Sequence, residues 1–128
     1  MIVFDAKVQY ALDRGMAKQI VLADEEGFVL DNAGYVFDPD ELIALSMSTQ
    51  RQVQETAGRL AFGDVSEFSL SLVGTDLVIL CRRVFWAEGG CLIVVVSPVG
   101  SSPGLLISQV VRDFKNYLEH QRTALREA

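Results

Sequence analysis

The chain has 128 residues, 50% of them apolar and 22% charged, with three prolines and two cysteines. That length suits a single domain, residues 1–128, and the composition excludes disorder, a collagen-like repeat and a disulfide-stapled miniprotein. The 17 acidic residues outnumber the 11 basic ones, and the net charge of −6 disfavours nucleic acid and anionic membrane as partners because phosphate is repelled.

Met1–Asp5 carries neither a basic stretch nor an apolar run of signal-peptide length. The longest apolar runs, Leu77–Cys81 and Cys91–Val96, have five and six residues, against the ~20 of a membrane helix. A cytoplasmic protein without membrane insertion is expected. Phe4, Val8, Ala11 and Leu12 share one face of a short helix that Gly15 ends. Lys18–Ala23 reads as a strand, Asp24–Gly27 as a turn and Phe28–Leu30 as the returning strand of a hairpin. The acidic turn reads as a solvated tip rather than a metal site, since no matching ligands recur nearby.

Asp38-Pro39-Asp40-Glu41 places an acceptor at a helix cap, proline at the first helical position and Glu three residues after the cap. The helix should run from Pro39 to about Phe62, with Gly63 taking the left-handed conformation that closes it. Ile43, Met47, Val53, Ala57 and Leu60 form its apolar stripe. The middle is Ser46, Ser48, Thr49, Gln50, Gln52 and Gln54, with Arg51 almost the only charge. A face meant for bulk water usually carries Glu and Lys, so these residues suit a surface covered part of the time. Gly58 costs about 1 kcal/mol in a helix interior and reads as room for another backbone. Arg51, Glu55 and Arg59 stand four residues apart and should pair along the helix.

Glu67–Leu72 alternates Phe68, Leu70 and Leu72 with Ser69 and Ser71, a strand with one packed face and one small, polar face. Leu77–Phe85 and Cys91–Val96, joined through Ala87–Gly90, are apolar on both faces and imply a sheet covered on both sides. Ser102-Pro103 caps a terminal helix whose buried stripe is Ile107, Val110, Val111, Phe114, Leu118 and Leu125. Together these make an α+β fold, a five-stranded antiparallel sheet between helices.

No GxxxxGK[ST] phosphate cradle occurs, and Gly100–Gly104 before the last helix reads as turn and cap rather than an anion site. His120, between Glu119 and Gln121, reads as a solvated surface residue. Cys81 and Cys91 sit in or beside apolar runs without a CxxC spacing and read as buried hydrophobes. No catalytic, cofactor-binding or metal site is expected.

The order of elements resembles the Roadblock domain family, named for a dynein light chain, especially its bacterial members linked to gliding-motility GTPases. The matching stretches are the Leu22–Val29 hairpin, the long helix ending Leu60–Val65, the strands Phe68–Leu72, Leu77–Leu80 and Leu92–Val96, and Ser102–Leu106 opening the last helix. The resemblance covers roughly Val3 to Leu118. It implies a profilin-like sheet of order 2-1-5-4-3 with the long helix on one face and two helices on the other. It also implies homodimers through the third strand and long helix, placing Met47, Gln50, Gln54, Gly58, Phe68, Ser69, Leu70, Ser71 and Leu72 at the interface. Ser69 and Ser71 would lie beneath a closely packed helix. The family implies a non-enzymatic regulator of a Ras-like small GTPase without a cofactor; the low-charge stretch of the long helix, duplicated by the dimer, is where that partner is expected, at Gln50, Arg51, Gln54 and Glu55. A scaffold without effect on GTP turnover and a small-ligand sensor are the alternatives.

Overall fold

The computed structural model describes residues 6–86 and 89–127. In chain order these form α1 (Ala6–Asp13), β1 (Gln19–Asp24), β2 (Val29–Gly34), α2 (Pro39–Arg59), β3 (Glu67–Ser71), β4 (Leu77–Trp86), β5 (Gly89–Pro98) and α3 (Pro103–Glu127). The five strands make one antiparallel sheet in the order β2-β1-β5-β4-β3, with the three helices packed around it, as expected. Phe4, assigned to the first helix, and part of the Ala87–Gly90 turn lie outside the described residues.

Strand alternation divides the core in two. Ile20, Leu22, Ile93 and Val95 point to the side where Val8 of α1 and Ile107, Val110 and Phe114 of α3 pack. Val21, Ala23, Val94 and Val96 point to the opposite side, against Leu42 and Ile43 of α2. The central strand β5 is buried from Gly90 through Ser97, which is why its sequence is apolar on both faces.

The turn between β1 and β2 is held by Asp24, whose Oδ1 accepts from the Glu26 N–H at 2.9 Å and the Phe28 N–H at 3.0 Å. Gly27 completes it at φ +94°, and a Cβ there would come within 2.7 Å of the Met47 sulfur, so the hairpin tip leans on α2. The returning strand runs beyond Leu30 through Asp31-Asn32-Ala33-Gly34. Those polar residues hide it in the sequence; the ladder to β1, Val21 opposite Asn32 and Leu22 opposite Asp31, makes it a strand.

Gln19 joins this hairpin to α2. It is fully buried; its Nε2 donates to Asn32 Oδ1 at 3.0 Å and to the Phe37 carbonyl at 2.9 Å. Its Oε1 accepts from the N–H groups of Val36 and Phe37 at 3.1 and 3.0 Å. The crossing loop is thereby set for Asp38, whose carboxylate caps α2 by accepting from the Asp40 and Glu41 N–H groups.

Three expectations about helix boundaries and faces change. The helix α2 stops at Arg59, and Ala61, not Gly63, is the first left-handed residue, at φ +57°. Phe62 N–H donates to the Ala57 carbonyl and Ala61 N–H to the Gly58 carbonyl, the bond pair of a Schellman closure. The chain leaves the helix before Leu60 can pack, so Leu60 is 56% exposed. Leu125 is 78% exposed, because α3 outruns the elements it packs on and its buried stripe ends near Leu118. Ser69 pairs with Leu80 and Ser71 with Val78. Leu80 belongs to the α1/α3 side, so the two serines face away from α2. Phe68, Leu70 and Leu72 share the α2 side instead, since the packed side of an edge strand is its apolar one.

Candidate functional site

The helix α2 packs chiefly over β1, β2 and β5. The β3 end of that sheet face is therefore only partly covered, and Phe68, Leu70, Leu72 and Leu77 are half-buried there. Beyond them β3 pairs with β4 on one side and ends the sheet on the other. Of the residues expected at a dimer contact, Phe68, Leu70 and the exposed Ser69 and Ser71 lie on this edge strand, and Leu72 follows it directly. Gly58 is exposed, and among the described residues nothing beyond its own stretch of helix lies within 4 Å of where a Cβ would sit.

The polar middle of α2 splits by helical phase. Ser46 is buried and donates its hydroxyl to the Leu42 carbonyl at 2.8 Å. Gln50 is also buried, and its Nε2 donates to the Val65 carbonyl at 2.9 Å. Gln54 is half-buried, donating to Asp64 Oδ1 at 3.1 Å and accepting from the Val65 N–H at 2.8 Å. The two glutamines thus tie the loop that returns from the helix to β3. Arg51, Glu55 and Arg59 are exposed. Their expected pairing along the helix is absent among the described residues, whereas Arg82 and Glu67, on paired strands, form an ion pair at 2.7 Å. Exposed ends of long side chains gain little from holding one geometry, so the four-residue spacing alone does not bind them.

Between α2 and the β4–β5 end lies a cleft of about 340 Å³. The helix lines it with Met47, Gln50, Arg51, Gln54 and Glu55, and the sheet with Arg83, Phe85 and Leu92. Asp24 and Glu25 of the hairpin complete the wall. The Arg83 guanidinium lies over the Phe85 ring, 4.5 Å from its centre. Sequence reasoning found Gln50, Arg51, Gln54 and Glu55 and missed Glu25, Arg83 and Phe85. The signal for the last two was the alternation of β4, which sends Ile79, Cys81, Arg83 and Phe85 to one face.

Cys91 also lines the cleft, and Cys81 lies on the cleft's face of the sheet. Burial pushes Cys81 up to about 12, with the Arg83 charge pulling the other way, and burial pushes Cys91 likewise to about 12. Both are free and buried, the form in which a thiol is least nucleophilic. His120 is exposed on α3. No group of three His, Cys, Asp or Glu among the described residues is placed to hold a metal ion. No helix among them is long and apolar enough to cross a membrane.

No family model and no curated protein sequence matches the chain. Solved structures do. A Roadblock/LC7 domain from Streptomyces avermitilis superposes with a TM-score of 0.64 at 19% identity, over 80% of this chain and 86% of that one. MglB of Myxococcus xanthus superposes with a TM-score of 0.66 at 14% identity, over 94% and 96% of the two chains. The chain has the Roadblock fold. The gliding protein MglB from Thermus thermophilus shares it, with a TM-score of 0.56 at 20% identity, over 94% of this chain and 86% of that one. At identities this low, the common Roadblock core is preserved by hydrophobic pattern and strand order rather than by particular side chains.

Proposed function

We propose that this protein is a non-enzymatic, cytoplasmic, homodimeric regulator of a Ras-like small GTPase. The observation that carries the reading is the open β3 edge beside an apolar, half-covered strip, together with uncommitted charges on the exposed side of α2. An edge strand presenting unpaired N–H and C=O groups beside Phe68 and Leu70 is a ready site for strand pairing. A two-fold axis at β3 continues the sheet across two copies, each contributing the same surface. It also duplicates α2, making one platform from two helices.

The GTPase docks on that platform, contacting Arg51 and Glu55, with Gln50 and Gln54 acting beneath them by holding the 64–65 loop. The regulator carries no arginine finger; it acts by repositioning residues of its partner. The resemblance in residue pattern supports the class of partner, and the MglB likeness supports the bacterial branch.

The test has two stages. Light scattering on the full chain should return twice the 14.1 kDa protomer mass at micromolar concentration, and Ser71→Lys should weaken the dimer by placing like charges close to the axis. A monomer at that concentration overturns the dimer. In a turnover assay with the Ras-like GTPase of the same cell, Arg51→Glu with Glu55→Arg should abolish binding, and undiminished binding overturns the docking site. Arg51→Ala and Arg59→Ala should each leave stimulated turnover within about tenfold. A finger would cost ~10³–10⁵-fold.

A further inference from the structure

The cleft between α2 and the β4–β5 end holds more polar chemistry than a docking helix requires. Met47, Phe85, Cys91 and Leu92 give it an apolar lining, Arg51 and Arg83 two cations, and Asp24, Glu25 and Glu55 three carboxylates. Asp24 is engaged by the N–H groups of its own turn, which leaves four charges around the space. Among the described residues none of these four charges has an ion-pair partner within 4 Å; the Arg82–Glu67 pair involves neither cleft arginine. The cations and anions therefore stand around the same space without neutralising one another.

The wall also holds an unfilled acceptor. Gln50 is 6% exposed; its Nε2 is used by the Val65 carbonyl, while its Oε1 is buried with no donor. A buried carbonyl left without a donor is costly, so native structures normally supply one. Glu25 is held close to the sheet: a Cβ on Gly90 would lie 2.9 Å from its Oε1. The glycine therefore leaves the room that brings this carboxylate to the edge of the cleft.

We propose that this cleft binds a small zwitterion carrying an apolar arm, the chemistry of an α-amino acid with a large apolar side chain. A simple anion would meet Glu25 and Glu55, and a simple cation would meet Arg51 and Arg83. A molecule bearing both charges opposes each set with its complement. Its carboxylate takes the guanidinium side, where two-pronged hydrogen bonding is available. Its ammonium takes the carboxylate side, where a small turn of the Gln50 side chain would bring its unpartnered carbonyl into reach. The apolar arm covers Met47, Phe85 and Leu92, and the volume of about 340 Å³ lies in the range of small-ligand sites. The site does not depend on the GTPase reading. Arg83 and Glu25 belong to the sheet and the hairpin, so a failed docking test on α2 leaves it standing.

The experiment is a titration of the full chain with L-phenylalanine. Calorimetry follows binding, while NMR follows the Met47 methyl and the Gln50 side-chain amide. Two analogues each remove one charge: 2-phenylethylamine lacks the carboxylate and 3-phenylpropionate lacks the ammonium. Saturable binding of L-phenylalanine is expected, with both analogues weaker by at least about tenfold. Arg83→Met and Glu25→Gln should each weaken it by a similar factor while the thermal midpoint stays within a few degrees. Glu25→Gln, on an exposed hairpin tip, remains informative if Arg83→Met does not fold. Absence of a saturable shift for L-phenylalanine and L-leucine up to about 10 mM overturns the proposal. Equal binding of either single-charge analogue, or wild-type affinity in Glu25→Gln, also overturns it.

Discussion

Replacing Gln19 tests the account of how the hairpin positions the docking helix. The side chain is fully buried and uses both ends of its amide, making four hydrogen bonds between 2.9 and 3.1 Å. Gln19→Leu keeps a similar volume but strips partners from two backbone N–H groups, one backbone carbonyl and the Asn32 side chain. At about 1 kcal/mol for each bond, less where water reaches the loop, the loss is about 2–4 kcal/mol. For a domain of this size that is a fall in melting temperature of about 10 °C. Chemical denaturation and a thermal scan read it directly. Gln19→Glu sharpens the test, because it keeps the oxygen that accepts from the Val36 and Phe37 N–H groups and removes both donors. A carboxylate there faces Asn32 Oδ1 and the Phe37 carbonyl, so folding favours the protonated form and raises its pKa above the unfolded value. The proton-linked stability is then present below the unfolded value and lost as pH rises through the folded one. The deficit of Gln19→Glu against wild type should therefore shrink as pH falls through the carboxyl range. A Gln19→Leu protein within about 0.5 kcal/mol of wild type would refute the reasoning.

Ala61 holds a left-handed conformation that disfavours any residue with a Cβ, so Ala61→Gly should stabilise the protein by about 0.5–1 kcal/mol in urea denaturation. Gln54→Ala removes both bonds to the 64–65 loop and should cost about 1–2 kcal/mol, with hydrogen exchange at Val65 rising first. Cys81 and Cys91, raised to about 12, should resist a thiol reagent at pH 8 until the chain is unfolded. Because the folded thiols hold their protons more tightly than unfolded ones, their contribution to stability persists below about pH 9 and declines as pH rises toward 12. Rapid labelling of the native protein would contradict that burial. Leu125→Glu should change stability by less than about 0.5 kcal/mol, since Leu125 is exposed.

The sequence alone determined the architecture. Runs apolar on both faces required a sheet covered twice, and Asp38-Pro39 announced the start of the long helix. These are local signals, carried by composition and spacing within a few residues, and the strand order followed once the pattern resembled Roadblock domains. Tertiary structure decided which polar residues are structural and which are free. Gln50 and Gln54 read as surface amides because their partners, Asp64 and Val65, lie 10 to 15 residues away and approach only when the loop folds back. Gln19 looked like an ordinary strand residue because its four bonds reach 13 to 18 residues along the chain. The cleft was hidden for the same reason. Glu25, Arg51 and Arg83 come from a hairpin, a helix and a strand, and only the packing of α2 across the sheet puts their charges around one space.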